Sequence, residues 1–301
     1  DIGGRRRAPD NKDIYEEGLQ IPVLKLFDAG APNETLFDIV RMNVRVPDEV
    51  TGDIHAMVGA CAHMDTGVAR LMDEYALSNL ADLTHELTGL TEGAMRRAIS
   101  KVPDGTFEAT TRIDSFDSST PLEMHCRIDI QGDRLSVDFA GSSPQNRSPL
   151  NSVLSYTRAY SAYALKCVLS PDIPNNDGSF RPITVTAPQG CFLNPAYPAA
   201  VEARATVGHY CTSAVFNTLA LVLPNQTPAE SGIPLHGFAM SGWQGEQPFS
   251  TIVFYNGGLG ARPDGDGLPT LSFPTNVSCT PTEVLERSAP VRILEKALLP
   301  G

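Results

Sequence analysis

No Cys-x-x-Cys pair occurs among the six cysteines, and the two nearest in sequence, Cys191 and Cys211, stand 20 positions apart. That spacing excludes a zinc ribbon and a thioredoxin-type redox pair. Scattered thiols in a chain of 301 residues point to a reducing, cytoplasmic setting instead of a disulfide framework. Positive charge is also scarce: 23 Lys and Arg against 35 Asp and Glu leave a net charge of −12. Without a basic footprint, neither nucleic acid nor an anionic lipid surface is an expected partner. Apolar runs such as Leu219 to Leu223 fall far short of the roughly 20 residues that cross a membrane. The sequence contains no GxxxxGK[ST] loop to cradle ATP phosphates, no GxSxG elbow and no HExxH pair. Gly258-Leu259-Gly260 is not a dinucleotide fingerprint, because Pro263 stands where the third glycine belongs. A tight turn needing positive φ is the plainer role for those glycines.

What is present is enough apolar material, 42% of residues, for one large domain or two modest ones. Proline and glycine, 24 and 25 residues, mark many turns. Leu19 to Phe27, interrupted by Pro22, reads as an edge strand or extended crossing. From Pro47, the residues Val50, Ile54, Met57, Cys61, Met64, Val68, Leu71 and Tyr75 recur in steps of four and three, giving a helix of about 30 residues with one apolar seam. A second helix from Ser78 to about Leu90 is expected to pair with it as an antiparallel hairpin, followed by a short third helix from Glu92 to Lys101.

After Pro103-Asp104-Gly105, strict alternation predicts strands. Phe107, Ala109, Thr111 and Ile113 share one face, as do Leu122, Met124, Cys126, Ile128 and Ile130 of the next. Gly132-Asp133 is a two-residue hairpin turn that sets Gln131 against Arg134, Ile130 against Leu135, Ile128 against Val137 and Cys126 against Phe139. Pro149, capped by Ser148, is expected to open a helix that ends before Pro171. Asp172 to Arg181 reads as loop, Ile183 to Ala187 as strand, Thr212 to Leu223 as helix, and Phe249 to Tyr255 as strand. The class is therefore α+β, with antiparallel hairpins and packed helices including a long helical hairpin. A division into residues 1–102 and 103–301 follows. Both ends fall in turn-like sequence, Asp1-Ile2-Gly3-Gly4 and Leu299-Pro300-Gly301, so the chain is read as part of something larger.

Spacing alone does not reveal an active site. Asp264-Gly265-Asp266-Gly267 lacks the remaining residues of a calcium loop. His55 and His63 lack a third ligand, and His125 alternates onto the polar face of its strand between Glu123 and Arg127. Glu202, Arg204 and His209 share a polar stretch between apolar segments, suited to a buried ion pair or to a site.

Longer motifs say more. Tyr163-Ala164-Leu165-Lys166-Cys167, the run Pro171-Asp172-Ile173-Pro174-Asn175-Asn176-Asp177-Gly178-Ser179-Phe180-Arg181-Pro182, and Leu193-Asn194-Pro195 resemble the hydantoinase B/oxoprolinase family. Supporting matches are the opening Asp1-Ile2-Gly3-Gly4, the acidic pair before Gly18-Leu19-Gln20, Asp138-Phe139-Ala140-Gly141-Ser142, Gly257-Gly258-Leu259-Gly260-Ala261-Arg262-Pro263, and Thr280-Pro281-Thr282-Glu283. They occur in order over essentially the whole chain.

The resemblance implies a B-type subunit of an ATP-dependent hydrolase that opens hydantoin, 5-oxoproline or other lactam rings. It also implies a cytoplasmic hetero-oligomer whose hydantoinase A-type partner binds ATP with Mg and phosphorylates the substrate. Relatives are subunits of ATP-dependent ketone carboxylases, and a non-catalytic assembly scaffold is a third possibility. Family members carry a divalent metal through an HxxD element just before the Gly-Gly pair, so the resemblance implies Zn or Mn and assigns Asp1 as a ligand. Asn151, Arg204 and Arg262 are candidate substrate contacts. Either arginine suits a bidentate clamp on a carboxylate or phosphate, and equally a structural ion pair.

Overall fold

A computed structural model describes residues 3–5, 8–115, 120–232 and 236–298. The elements in order are β1 (Phe27–Asp28), β2 (Ala31–Pro32), α1 (Glu34–Asn43), α2 (Pro47–Glu74), α3 (Ala81–Ile99), β3 (Gly105–Ile113), β4 (Leu122–Gln131), β5 (Arg134–Asp138), α4 (Leu154–Leu169), α5 (Asp177–Phe180), β6 (Ile183–Thr186), α6 (Arg204–Leu219), β7 (His236–Gln244), β8 (Gln247–Tyr255) and α7 (Thr282–Ser288). The α+β class holds.

The central sheet runs β3-β4-β5-β6. Its hairpin has the expected register, with Gln131 opposite Arg134, Ile130 opposite Leu135 and Ile128 opposite Val137. Gly132 turns it at φ 60. Burial alternates residue by residue along β4, so Met124, Cys126, Ile128 and Ile130 all enter one core. Against that face pack Met95 and Ile99 of α3, Leu165 of α4, and Val207, Cys211 and Val215 of α6. This core crosses the boundary expected at residue 102. The edge strand β6 is parallel to β5, because α4 and α5 carry the chain across the sheet before it returns. A separate ribbon, β7-β8, stands apart from this sheet.

Several boundaries differ from the sequence reading. Leu19 to Leu26 is irregular, and only Phe27–Asp28 pairs as strand. The helices expected at Ser78 to Leu90 and Glu92 to Lys101 are one helix, α3; Asn79 Oδ1, not Ser78, accepts from the first helical amide, Ala81 N, at 2.8 Å. Thr91 does not break it, since its hydroxyl is absorbed by the Leu87 and Thr88 carbonyls and by Asn176 Oδ1. The expected burial of one long seam on the other is not seen. Met57 and Met64 of α2 and Leu87 and Leu90 of α3 are exposed, while α3 buries Thr88, Thr91, Met95 and Ile99 instead. α4 begins at Leu154 because the Asn151 side chain takes up the Asn146, Ser148 and Ala200 carbonyls and its backbone amide donates back to the Pro149 carbonyl, which keeps this stretch out of the helix. The segment read as loop contains α5. α6 starts at Arg204, eight residues before the expected Thr212, since the polar-looking Gly208 and His209 are buried in it.

Candidate active site

The site forms where α4 and α6 meet. Gly208 permits the close approach: a Cβ there would stand 2.6 Å from the Tyr156 ring. Tyr156 and Tyr160 stack with centroids 4.7 Å apart, and the Tyr156 hydroxyl donates to that of Tyr160 at 3.1 Å. One turn of α6 lies beside them, and its His209 ring is 6.0 Å from Tyr160. His209 is only 3% exposed, and among the described residues neither ring nitrogen has a hydrogen-bond partner. Burial pushes its imidazole down to about 4, so the ring is neutral at pH 7.

His209 lines a cavity of about 330 Å³ with Tyr210, Ser213, Phe216, Glu230, Ser231 and Phe273 among its walls. Phe216 and Phe273 stack at 5.9 Å. Burial raises the Tyr210 hydroxyl, and the charges of Glu230 and Asp114 raise it further. A larger cavity of about 650 Å³ lies along α4, lined by Arg158, Tyr160, Tyr163 and Phe180, and shares Pro274 with the first. Burial raises Tyr160 and pushes Tyr163 up to about 12. All three tyrosines therefore remain protonated donors; Tyr160 and Tyr210 stand by the neutral imidazole, and Tyr163 lines the larger cavity. That set suits an uncharged, hydrogen-bonding ligand with apolar faces.

The residues singled out in the sequence do not gather there. Asn151 is fully buried in the loop before α4. Its Nδ2 donates to the carbonyls of Asn146, Ser148 and Ala200, and its Oδ1 accepts from Asn146 N. Its amide is thus committed to bracing that loop. Arg204 is exposed at the start of α6, with Nη1 3.4 Å from the Val201 carbonyl. Arg262 is exposed in the loop after β8 and pairs with Asp264 at 3.5 Å. None of the three lines either cavity. Gly258 and Gly260 do not have positive φ; they are needed for close backbone approach, since a Cβ on Gly260 would overlap the Ala229 carbonyl.

Asp1, the implied metal ligand, lies outside the described residues. Among those described, no three His, Cys, Asp or Glu side chains gather as for a metal ion. His55 stacks on Phe37 at 5.2 Å, and His125 approaches Glu108 at 3.7 Å. A divalent metal held through Asp1 would supply Lewis-acid chemistry. The motif around Asn176 is a clamp. Asn176 caps α5 and accepts from Thr91, while Arg181 bridges Asp177 and Glu92, and Glu92 pairs with Arg96.

Residues 1–301 match the Hydantoinase B/oxoprolinase family throughout. The chain belongs to that family. Hydantoinase B-type proteins include subunits of ATP-dependent lactamases, oxoprolinases and carboxylases. The B component of a putative D-/L-hydantoinase from Pseudomonas sp. (strain NS671) is 32% identical over 94% of the chain and 50% of its own length. The crystal structure of ATP-dependent caprolactamase from Pseudomonas jessenii superimposes with a TM-score of 0.88 and 27% identity, covering 98% of this chain and 53% of that one. The acetophenone carboxylase delta subunit of Aromatoleum aromaticum is 24% identical over 93% of this chain and 43% of its own length. The chain therefore spans about half the length of these relatives. Among the described residues, no helix is long and apolar enough to cross a membrane.

Glu230 and Phe273 were not anticipated. They reach the cavity from loops far along the chain, where no periodicity marks them. His209 did carry a signal, being a histidine inside a stretch that proves to be buried helix.

Proposed function

We propose that this chain is part of the B-type subunit of an ATP-dependent cyclic-amide hydrolase. It opens a hydantoin, 5-oxoproline or other lactam ring whose amide oxygen has been phosphorylated by an A-type partner subunit. The observation that carries this reading is the likeness to ATP-dependent caprolactamase along 98% of the chain.

The chemistry calls for prior activation of the amide. A cyclic amide is a poor electrophile, because its nitrogen lone pair is delocalised into the carbonyl. Transfer of phosphate to the amide oxygen breaks that delocalisation. Water then adds to the ring carbon, the C–N bond breaks and the ring nitrogen takes up a proton as an amine. A second water attacks the carbon of the resulting acyl phosphate and releases inorganic phosphate. The residues around α4 and α6 contribute a largely apolar cavity for the ring, with Glu230, among the described residues, as the one acidic group in the lining of the smaller cavity. Their tyrosine hydroxyls and neutral imidazole orient it without offering a competing nucleophile of high charge.

The test is reconstitution of the full-length protein with its A-type partner and ATP. Phosphate release stimulated by hydantoin, 5-oxoproline or ε-caprolactam, with formation of the ring-opened product, is the expected result. Incorporation of labelled bicarbonate into a ketone, without ring opening, would replace this reading by the carboxylase one. Absence of both reactions leaves the scaffold reading and ends the proposal.

A further inference from the structure

We propose that the cavity between His209 and Phe273 seats the uncharged cyclic-amide ring, and that His209, whose ring nitrogens are buried in its wall, turns to hydrogen-bond the ring nitrogen. The inference rests on the cyclic-amide reading above and adds to it where the ring sits and what charge it carries.

Three observations converge. The first is His209 itself, 3% exposed and without a hydrogen-bond partner on either nitrogen among the described residues. A buried polar group left unpaired costs about 1–3 kcal/mol, and buried histidines are normally satisfied. Neither nitrogen is open to the cavity as the side chain stands, so a ligand recovers that cost by drawing the imidazole round to face it. The second is size. A volume of about 330 Å³ stands at the small end of ligand pockets, roughly 300–1,000 Å³, which suits one small ring and not a nucleotide. The stacked Phe216 and Phe273 supply flat apolar walls for ring methylenes.

The third is charge. Among the described residues, Glu230 is in the lining and no Lys or Arg is, while Asp114 adds to the negative field at Tyr210. A carboxylate or phosphate would meet like charge there. The ring's uncharged edge, and not its activated oxygen, therefore faces His209. A neutral imidazole serves both forms of that edge. It accepts from the ring N–H of the amide, or in its other tautomer donates to the imine nitrogen left once the oxygen carries phosphate.

The experiment measures binding of ε-caprolactam, hydantoin and 5-oxoproline by calorimetry to the full-length protein with its A-type partner, without ATP. The first two are uncharged, and the third carries a carboxylate. Caprolactam or hydantoin is expected to bind about tenfold or more tighter than 5-oxoproline. Ser213→Trp, which fills the cavity, should abolish that binding. His209→Leu should weaken it about tenfold, and His209→Gln, which keeps a hydrogen-bonding group, should stay within about threefold of the parent. Glu230→Lys, at an exposed position, guards against variants that fail to fold. It should reverse the preference toward 5-oxoproline.

No binding of any uncharged ring, or unchanged affinities in folded Ser213→Trp and His209→Leu proteins, would overturn the assignment. So would an unaltered preference in Glu230→Lys. The functional reading fails separately. If the complex releases no phosphate with any cyclic amide, yet caprolactam binds and Ser213→Trp blocks it, the cavity assignment stands alone. If release occurs and the folded variants keep the parental KM, the reverse holds.

Discussion

Glu17 Oε1 accepts hydrogen bonds of 2.7 Å from the backbone amides of Val201 and Glu202, although 184 residues separate Glu17 from Val201. The contact ties the N-terminal segment to the turn that launches α6, and α6 carries His209. Burial raises the Glu17 carboxyl, and the two amides oppose that shift. A carboxylate in this position braces the start of α6 from outside the cavity.

Replacing the acceptor tests that role. Glu17→Ala removes the acceptor of one buried and one part-buried amide and is expected to cost about 1–3 kcal/mol in urea denaturation of the full-length protein. Glu17→Gln keeps the oxygen and should lie within about 1 kcal/mol of the parent. Equal stability of Glu17→Ala and the parent would show that the contact does not hold the turn.

Two glycines should respond with opposite sign. A Cβ on Gly178 would overlap the Thr88 carbonyl and crowd Thr91 Oγ1, forcing α5 off α3. Gly178→Ala is expected to destabilise by about 1–3 kcal/mol. On α2, Gly59 faces open space, and Gly59→Ala should stabilise by about 0.5–1 kcal/mol through helix propensity. Thermal melting of both variants decides, and a neutral Gly178→Ala would contradict the tight docking of the motif on α3.

The buried imidazole makes a pH prediction. His209 sits at about 4 when folded against 6.5 for the free side chain. Between these values the unfolded chain binds the proton and the folded one does not, so stability falls as pH drops through that window. The parent should lose up to about 3 kcal/mol relative to His209→Gln between pH 7 and pH 4. Parallel stability curves for the two proteins would mean that His209 is hydrated or paired.

The β-hairpin was legible because Leu122 to Ile130 alternate strictly and the Gly132-Asp133 turn fixes the pairing, so period and turn chemistry agree. The long helix was legible from its four-three spacing. What its seam packs against was not, since periodicity reports an apolar face and not its neighbour. The start of α4 was misplaced because Ser148 and Pro149 imitate a helix cap, while Asn151 diverts the chain into its own carbonyl contacts. α6 was found late for a related reason: burial all round hides a stripe, and Gly208 and His209 read as linker. The cavity is built from side chains of α6 and of loops near 230 and 273, a tertiary coincidence that leaves no local pattern.

Transfer of an oxygen atom tests the central claim most directly. A cyclic amide labelled with ¹⁸O in its carbonyl is given to the full-length complex with ATP, and the released phosphate and the ring-opened acid are analysed by mass spectrometry. If the neighbour phosphorylates the amide oxygen and water attacks the ring carbon, the label appears in inorganic phosphate. Unlabelled phosphate, with all of the ¹⁸O kept in the carboxylate of the product, would contradict it.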